Sequence, residues 1–374
     1  MSGRRGIVIA GGGTGGHIVP SLQIARALVA RGHTPATIEL YGSRRGQEAT
    51  LWPTLEFPFT LLPGRGIRRS VSPSALWANL GAVVGLVWAC VRAVSSFLMR
   101  RPRVVVGVGG YASFPAGLAA VLTRTPLVLL IPDAVPGAVN RVFCHFARAN
   151  AVAFPGTGVP RATVTGAPVR PELASIDRSA TARTEARAAL GLPADRQTVA
   201  AFGGSLGALR INRSVLDLAG KWVADGGRSL YQVTGRRDFE QFQRSGPDGQ
   251  GSLFYKVVPF EDQMPTLMVA ADVCVSRAGA NTVAELLLAG APAILVPLPG
   301  APQDHQTRNA QAVVDAGAAV LLPDGECNGD RLDAELNRLL ADPDRLVAMS
   351  EAARALGRPD AAASVAELVD AHAR

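Results

Sequence analysis

The residues with the clearest capacity for chemistry lie in a glycine-rich stretch near the amino terminus. Residues 7–20 read IVIAGGGTGGHIVP, so a short apolar run leads into glycines, one threonine and then His17. A strand followed by a glycine turn that opens a helix presents backbone N–H groups to a phosphate. Histidine titrates near neutral pH and is suited to act as a general base. The pattern predicts a phosphate-binding loop that ends in a base.

The same loop is compatible with a dinucleotide-binding protein. Gly11, Gly13 and Gly16 satisfy the G-x-G-x-x-G fingerprint. That fingerprint requires an acidic residue at the end of the second strand, about 20 residues further on, and Glu39 is the candidate. An NAD-dependent oxidoreductase is therefore an alternative. His17 counts against it, because a pyrophosphate-binding turn needs only backbone groups.

A second glycine loop, GGSLGA at 203–208, counts further against that alternative and favours a ligand held between two domains. Ser205 in this loop can offer its hydroxyl and N–H to a phosphate, or simply cap a helix. Thr282 and Glu285 have the spacing of a helix capping box, although a carboxylate there can instead accept hydrogen bonds from ribose hydroxyls. The polar run QDHQTRNA, residues 303–310, follows a predicted strand and favours a binding site.

Strand-like and helix-like stretches alternate along the chain and must position these residues. Runs such as RVVVGVGG at 103–110 and PLVLLI at 126–131 are typical of strands covered on both faces, which predicts parallel sheets flanked by helices. Residues 155–171 are rich in proline and glycine and indicate a boundary, after which the pattern begins again. The predicted fold class is α/β, with two doubly wound, Rossmann-like domains.

We place these domains at residues 1–160 and 173–374, with a linker at 161–172 and the last helix as a candidate to return to the first domain. A chain of 374 residues, 48% hydrophobic and 18% charged, suits globular domains with large cores. The net charge of +8 is carried mostly by arginine. A high arginine content favours binding to phosphate or to anionic surfaces, but it is equally typical of proteins encoded by GC-rich genomes. Because the arginines are dispersed and aromatic residues are only 5%, we expect no nucleic-acid partner.

Compartment and membrane contact are predicted from the cysteines and from one apolar run. The cysteines lie far apart without a C-x-x-C motif and no secretory leader is seen, so we expect the cytoplasm. Residues 75–91 carry no charge but fall short of the about 20 residues that a spanning helix needs, which predicts a buried or half-buried helix. Alternatively, the helix rests on an anionic membrane surface, as the flanking arginines suggest: Arg65, Arg68, Arg69, Arg100, Arg101 and Arg103.

Several motifs occur here in the order in which they occur in the MurG family: GGGTGGHIVP, GVGGYASFPAGLAA, AVPGAVNR, VTGAPVRPE, GGSLGALRIN, SRAGANTVAE and DHQTRNA. The chain resembles this family over essentially its whole length. MurG enzymes are GT-B glycosyltransferases that add N-acetylglucosamine from a UDP-sugar to a lipid-linked muramoyl-pentapeptide. The resemblance implies two Rossmann-like domains that face each other across a cleft. It also implies inverting transfer of a hexosamine to a lipid-linked phosphate or diphosphate sugar at the inner face of the cell membrane.

The resemblance further implies roles for individual residues. His17 would be the catalytic base. The donor UDP-sugar would be bound by Arg170, Ser205, Phe260, Glu261, Thr282, Glu285, Gln303 and Gln306. The acceptor would be bound by Gly13, Thr14, Gly15, Gly16, Tyr111 and Asp133. No D-x-D motif stands at a predicted strand end, so we expect neither a metal nor a cofactor.

The chain departs from the family pattern at a few positions. Residues 130–133 read Leu-Ile-Pro-Asp where MurG chains usually carry His-Glu-Gln-Asn, and Ala167 and Asn281 replace a usual asparagine and leucine. Loss of polar groups at the expected cleft would leave their ligand partners unpaired. We therefore expect either a transferase of moenomycin-type phosphoglycolipid biosynthesis or lipid II synthesis in peptidoglycan assembly. An inactive lipid-sugar-binding paralogue is a further alternative.

Overall fold

The computed structural model describes residues 6–63, 73–173, 176–204, 208–245 and 252–374. The chain forms two compact units, Met1–Val169 with Asp360–Arg374, and Arg170–Pro359. The chain thus passes from one unit to the other within the residues expected to form a linker. Ser205 and the arginines at 65, 68 and 69 lie outside the described residues.

The first unit is built on a seven-stranded parallel sheet in the order β3-β2-β1-β4-β5-β6-β7. Its strands are β1 (Ile7–Gly11), β2 (Ile38–Ser43), β3 (Phe59–Leu62), β4 (Val104–Gly109), β5 (Leu127–Ile131), β6 (Ala149–Val152) and β7 (Ala162–Val164). Its helices are α1 (Gly15–Ala30), α2 (Glu48–Leu51), α3 (Pro73–Arg100), α4 (Ser113–Leu122) and α5 (Ala138–Phe143). Ile7 and Ile9 of β1 pack into one core, whereas Val8 packs into the other, because successive side chains point to opposite faces. Both faces of the sheet are therefore covered.

The second unit is built on a six-stranded parallel sheet in the order β10-β9-β8-β11-β12-β13. Its strands are β8 (Gln197–Phe202), β9 (Arg228–Val233), β10 (Phe254–Val258), β11 (Val273–Ser276), β12 (Ala293–Leu295) and β13 (Ala319–Leu321). Its helices are α6 (Ala180–Ala189), α7 (Leu209–Lys221), α8 (Phe239–Ser245), α9 (Met264–Ala270), α10 (Ala280–Ala289), α11 (His305–Asp315), α12 (Gly329–Leu340) and α13 (Pro343–Leu356). The predicted α/β class with two doubly wound sheets is confirmed.

The last helix, α14 (Ala361–His372), packs against α1 in the first unit. Asp370 anchors it, since its carboxylate accepts hydrogen bonds from Arg31 at 2.6 Å and lies 2.7 Å from the imidazole of His33. Its apolar residues Val365 and Val369 are fully buried in the core beside β1. The carboxy-terminal segment is thus part of the first unit's core.

Over residues 81–100, helix α3 leaves many of its large apolar side chains exposed. Its segment Gly81–Arg100 is long and apolar enough to cross a membrane by length and composition alone, and 22% of the window is buried. Ala89, Ala93 and Phe97 form the buried stripe. On the other side, Val84 and Trp88 are 62% and 60% exposed. Between residues 81 and 100 the helix is therefore packed along a narrow stripe.

Candidate functional site: two sheet edges with polar loops

The first group of candidate residues lies at the carboxyl edge of the first sheet. Strands β1, β4 and β5 are neighbours, and Gly11 at the end of β1 pairs with Gly109 at the end of β4. The loops that follow these strands carry the glycine stretch, Tyr111 and Asp133. Because the strands are parallel, all three loops emerge at the same edge, where α/β folds bind ligands.

His17 lies in the first turn of α1. The helix begins at Gly15 with Thr14 as its N-cap residue, and Pro20 lies inside the helix. Gly13 has a φ of 97°, a left-handed conformation that favours glycine in this turn. The glycine loop therefore leads directly into the helical turn that presents the imidazole.

The imidazole of His17 packs against two consecutive glycines at the end of β4. A Cβ at Gly109 would lie 2.7 Å from Cδ2 of His17, and a Cβ at Gly110 would lie 3.2 Å from Nδ1. Any side chain at these positions would displace the imidazole. The glycine pair of the GVGGY motif therefore makes the room that His17 occupies.

The environment of the imidazole favours its neutral form. Burial lowers the pKa of His17, while the nearby carboxylate of Asp133, a hydrogen bond to the Gly12 carbonyl and the carboxylate of Glu48 raise it in part. A lowered pKa leaves the ring unprotonated near neutral pH, which is the form that can accept a proton. This state is the one that a general base requires.

Glu48, the first residue of α2, contacts the glycine loop and was not among the residues that our sequence reasoning identified. Its side chain is 0% exposed. Oε2 accepts a hydrogen bond from the N–H of Gly13 at 2.9 Å, and Oε1 accepts one from the N–H of Ser43 at 2.7 Å. The signal in the sequence was faint, because GSRRGQE is the typical composition of a solvated loop.

The remaining acceptor candidates surround this loop. The hydroxyl of Tyr111 donates to the carbonyl of Pro63 at 2.8 Å, and burial raises the pKa of Tyr111 to about 12, so the phenol stays protonated. Thr14 Oγ1 lies 3.5 Å from Nδ1 of His17. Gly13, Thr14 and Gly16 are exposed, while Gly15 and Asp133 are half-buried. The loop's surface is thus open to a ligand.

Residues 130–133, where we expected polar groups to be lost from a cleft, lie partly inside the first sheet. Leu130 and Ile131 continue β5, are 0% exposed and belong to the cores on its two faces. Pro132 is buried, so Asp133 is the accessible residue of the four. The departure from the family pattern therefore extends the core instead of emptying a binding surface.

Glu39 is also misplaced for the dinucleotide interpretation. It is the second residue of β2, at the amino end of the strand, because β2 continues to Ser43. Its carboxylate accepts hydrogen bonds from Arg100 at 2.6 Å and from Thr60 at 2.7 Å. Glu39 therefore lies at the opposite edge of the sheet from the glycine loop and cannot bind a ribose there.

The second group of candidates belongs to the second unit. Helix α10 begins at Ala280 with Gly279 as the N-cap and without a side-chain cap, so Thr282 and Glu285 lie inside the helix and form no capping box. Glu285 is 14% exposed, and one carboxylate oxygen lies 3.8 Å from Nε of Arg170. Burial raises the pKa of Glu285, and Arg170 opposes that shift.

Phe260 and Glu261 follow β10. Phe260 is 49% exposed, and the guanidinium of Arg236 lies 5.4 Å from its ring centroid. Glu261 accepts hydrogen bonds from the hydroxyl of Tyr231 at 2.5 Å and from the N–H of Gln263 at 2.7 Å. An exposed ring can stack with a base, and the fixed carboxylate beside it can accept a hydrogen bond from an N–H group of that base.

The polar run 303–310 divides into an outer and an inner part. Gln303 and Asp304 are exposed and have φ values of 58° and 54°, which are uncommon for residues other than glycine and often occur at functional sites. Gln306 accepts the N–H of Leu298 at 3.0 Å. Asn309 instead points inward, where it is fully buried and donates to the carbonyl of Ala278 at 3.1 Å.

Arg277 stabilises this edge of the second sheet, and our sequence reasoning did not identify it. It follows β11 directly, is 8% exposed and donates to the carbonyls of Val296 and Pro297 at 3.1 Å. It also donates to Asp324, which follows β13, at 2.6 Å. A basic residue directly after a buried strand was the available signal. Across the described part of the chain, no group of three or more His, Cys, Asp or Glu side chains is arranged to hold a metal ion.

Comparison with known proteins shows the family. The description "Glycosyltransferase family 28 N-terminal domain" matches residues 7–152, and "Glycosyltransferase family 28 C-terminal domain" matches residues 198–365. The chain is similar to the UDP-N-acetylglucosamine–N-acetylmuramyl-(pentapeptide) pyrophosphoryl-undecaprenol N-acetylglucosamine transferase of Desulforudis audaxviator, with 38% identity over 97% of both chains. The transferase of the same name from Alkalilimnicola ehrlichii is 40% identical over 98% of this chain and 99% of its own.

A solved structure agrees with these relatives. The crystal structure of Acinetobacter baumannii MurG has 26% sequence identity and a TM-score of 0.76, and the match covers 98% of this chain and 100% of that one. The similarity therefore spans both sheets, as the predicted MurG resemblance requires. The chain belongs to glycosyltransferase family 28.

Proposed function

We propose that the protein transfers N-acetylglucosamine from UDP-N-acetylglucosamine to N-acetylmuramyl-(pentapeptide) pyrophosphoryl-undecaprenol. The observation that carries this proposal is the similarity to transferases with that name over 97% of the chain at 38% identity. The neutral, half-buried His17 on a glycine loop adds a chemical basis for the reaction.

In the proposed mechanism, His17 takes the proton of the attacking acceptor hydroxyl. The lowered pKa of His17 keeps the imidazole neutral before the reaction. One displacement at the anomeric carbon breaks the bond to UDP and inverts the configuration. Gly13, Thr14, Gly15 and Gly16 would bind the acceptor diphosphate at the start of α1, where helix N–H groups favour an anion. Tyr111 and Asp133 would border the acceptor.

The donor would bind to the second unit. Glu285 would accept hydrogen bonds from the ribose hydroxyls, with Thr282 beside it. Phe260 and Glu261 would form the uracil site. The diphosphate and the sugar would contact Arg170, Ser205, Gln303 and Gln306. Stabilisation of the leaving diphosphate by N–H groups and arginine needs no metal, so we propose a metal-independent transfer.

We also propose that the protein works at the inner face of the cell membrane, with the exposed face of α3 against the lipid. An apolar helical surface flanked by arginines is suited to an anionic interface. Trp88→Asp should lower cosedimentation with vesicles of anionic phospholipid several-fold. The matched control is Val347→Asp, since Val347 is 56% exposed on a helix of the second unit. Equal binding by the Trp88 variant and the control would overturn this placement.

The acceptor is tested directly by measuring UDP release in three reactions. The first contains lipid I, which is the proposed acceptor N-acetylmuramyl-(pentapeptide) pyrophosphoryl-undecaprenol, the second contains a phosphoglycolipid precursor, and the third contains no acceptor. We expect release with lipid I and little release in the other two reactions. Release with the phosphoglycolipid alone would reassign the acceptor, and no release with either would favour an inactive binding paralogue.

A further inference from the structure

One peptide group of the glycine loop lies between Glu48 and the imidazole of His17. The N–H of Gly13 donates to Glu48 Oε2 at 2.9 Å. The carbonyl oxygen of Gly12, which belongs to the same peptide group, faces the same space as the imidazole of His17, since a Cβ at Gly110 would lie 2.1 Å from this oxygen and 3.2 Å from Nδ1 of His17. In a trans peptide group the N–H and the C=O point in opposite directions within one plane. Glu48 and His17 therefore lie at opposite ends of a single rigid unit.

The carboxylate of Glu48 has no room to take another position. Its Oε1 accepts the N–H of Ser43 at 2.7 Å, which fixes the second oxygen. A Cβ at Gly42 would lie 2.6 Å from its Cγ, and a Cβ at Gly12 or Gly46 would overlap the carboxylate itself. Three glycines thus form a close-fitting cage around the side chain. A group held in this way defines the orientation of whatever it binds.

We propose that Glu48 is a positioning residue for the transfer reaction, which holds the Gly12–Gly13 peptide and thereby orients the His17 imidazole. A carbonyl oxygen can only accept, so a ring nitrogen that bonds to Gly12 carries the hydrogen. The other ring nitrogen is then left to take the proton of the acceptor hydroxyl. This inference rests on the proposed role of His17 as the base.

The electrostatic surroundings of the ring agree with this arrangement. The charged groups that act on the imidazole are Asp133, after β5, and Glu48, on α2, and both raise the pKa of His17 against the effect of burial. Removal of the Glu48 charge should therefore lower that pKa further. A residue that merely filled space would leave it unchanged.

The first test is Glu48→Gln, with Glu39→Gln as the matched control. Glu39 lies on β2, the strand that precedes α2, but at the other edge of the sheet, where it pairs with Arg100. We expect the transfer rate of the Glu48 variant to fall about tenfold to a hundredfold, as for supporting residues that orient a functional histidine. The acidic limb of the pH–rate profile of the Glu48 variant should move to lower pH, while its affinity for UDP stays unchanged. A Glu48 variant with the rate and pH profile of the control would overturn the proposal.

A second variant displaces the carboxylate without removing it. Gly46 does not have a positive φ, so alanine fits its backbone, but the added Cβ would overlap the Glu48 carboxylate. Gly46→Ala should therefore slow transfer in the same way as Glu48→Gln. A wild-type rate for the Gly46 variant would contradict the proposal even if the Glu48 variant fails to fold.

NMR titration of the His17 ring separates this proposal from the proposed function. The chain has only 5 histidines, so the signal can be assigned by comparison with His17→Ala. We expect a lower His17 pKa in the Gly46 variant, or in Glu48→Gln, than in the wild type. If the wild type transfers no sugar but this shift is seen, the proposed function fails and the Glu48–His17 coupling stands. An unchanged pKa overturns the coupling itself.

Discussion

Two glutamates, one in each unit, illustrate two uses of a carboxylate at a sheet edge. Glu48 is 0% exposed and receives two backbone N–H groups from its own chain. Glu285 is 14% exposed, and the ion pair described for it joins it to Arg170 across 3.8 Å. Burial raises the pKa of Glu285 because this contact compensates its charge poorly. The first carboxylate is satisfied by the fold, whereas the second is suited to receive donors from a ligand.

The difference distinguishes a carboxylate that positions the backbone from one that is suited to bind a ligand. A carboxylate that is already fully hydrogen-bonded gains little from a ligand, and its loss disturbs the loop that it holds. A buried carboxylate with one long contact costs stability in the free protein and regains it when hydroxyl groups arrive. On this basis we assign Glu48 to the geometry of the base and Glu285 to the donor.

The largest expected effect is at the base itself. His17→Ala should lower the transfer rate by about 10²–10⁴-fold, since the acceptor hydroxyl loses its proton acceptor. UDP affinity, measured by isothermal titration calorimetry, should not change, because the proposed donor residues lie in the second unit. Equal losses of rate and of UDP affinity would reassign His17 to donor binding.

The next largest effect concerns donor affinity. Glu285→Ala should weaken UDP binding about tenfold to a hundredfold, because hydrogen bonds to a charged group are worth about 1.5–3 kcal/mol. The matched control is Glu335→Ala, since Glu335 is a buried glutamate of the second unit and is paired with Arg338 at 2.7 Å. If both variants bind UDP as the wild type does, Glu285 has no role in the ribose site.

The two glutamates should also differ in their effect on folding. Glu48→Gln should lower the free energy of unfolding by about 1–3 kcal/mol, because the amide cannot accept both N–H groups. Glu285→Gln should leave it unchanged or raise it, since a poorly compensated buried charge is removed. Urea denaturation of both variants measures the contrast. A larger loss for Glu285 than for Glu48 would reverse our comparison.

The smallest effect is a pH dependence of donor affinity. Ribose hydroxyls donate to the ionised form of Glu285, so UDP affinity should fall as the pH falls through the raised pKa of this residue. In Glu285→Gln the same titration should be flatter over that pH range. Folding carries the opposite sign, because a raised acid pKa in the native state makes stability fall as the pH rises through it. Identical pH dependence of UDP binding in both proteins would contradict the ribose role.

Much of the fold and part of the site could be predicted from the sequence, because local patterns determined them. Continuous Val and Ile runs predicted the parallel strands β1, β4 and β5, and the glycines after them predicted the loops. The turn at Gly13 needs a left-handed residue, which explains why the motif is visible in the sequence. Such features depend on neighbours in the chain.

Other features depend on contacts between distant residues and could not be predicted. Glu48 looks like a loop residue until β2 is known to end at Ser43, beside the glycine turn. Glu39 has the right spacing for a ribose ligand, yet the strand begins one residue before it and places it at the wrong edge. Leu130 and Ile131 read as lost polar groups, but their burial in β5 is decided by the helices on both faces.

The most direct test of the central claim is the structure of the product. Purified protein is incubated with UDP-N-acetylglucosamine and lipid I, and the lipid product is examined by mass spectrometry and by NMR of the new anomeric centre. We predict a product heavier by one N-acetylhexosamine residue, with the anomeric configuration inverted relative to the donor. An unmodified lipid, or a product that retains the donor's configuration, would contradict the account.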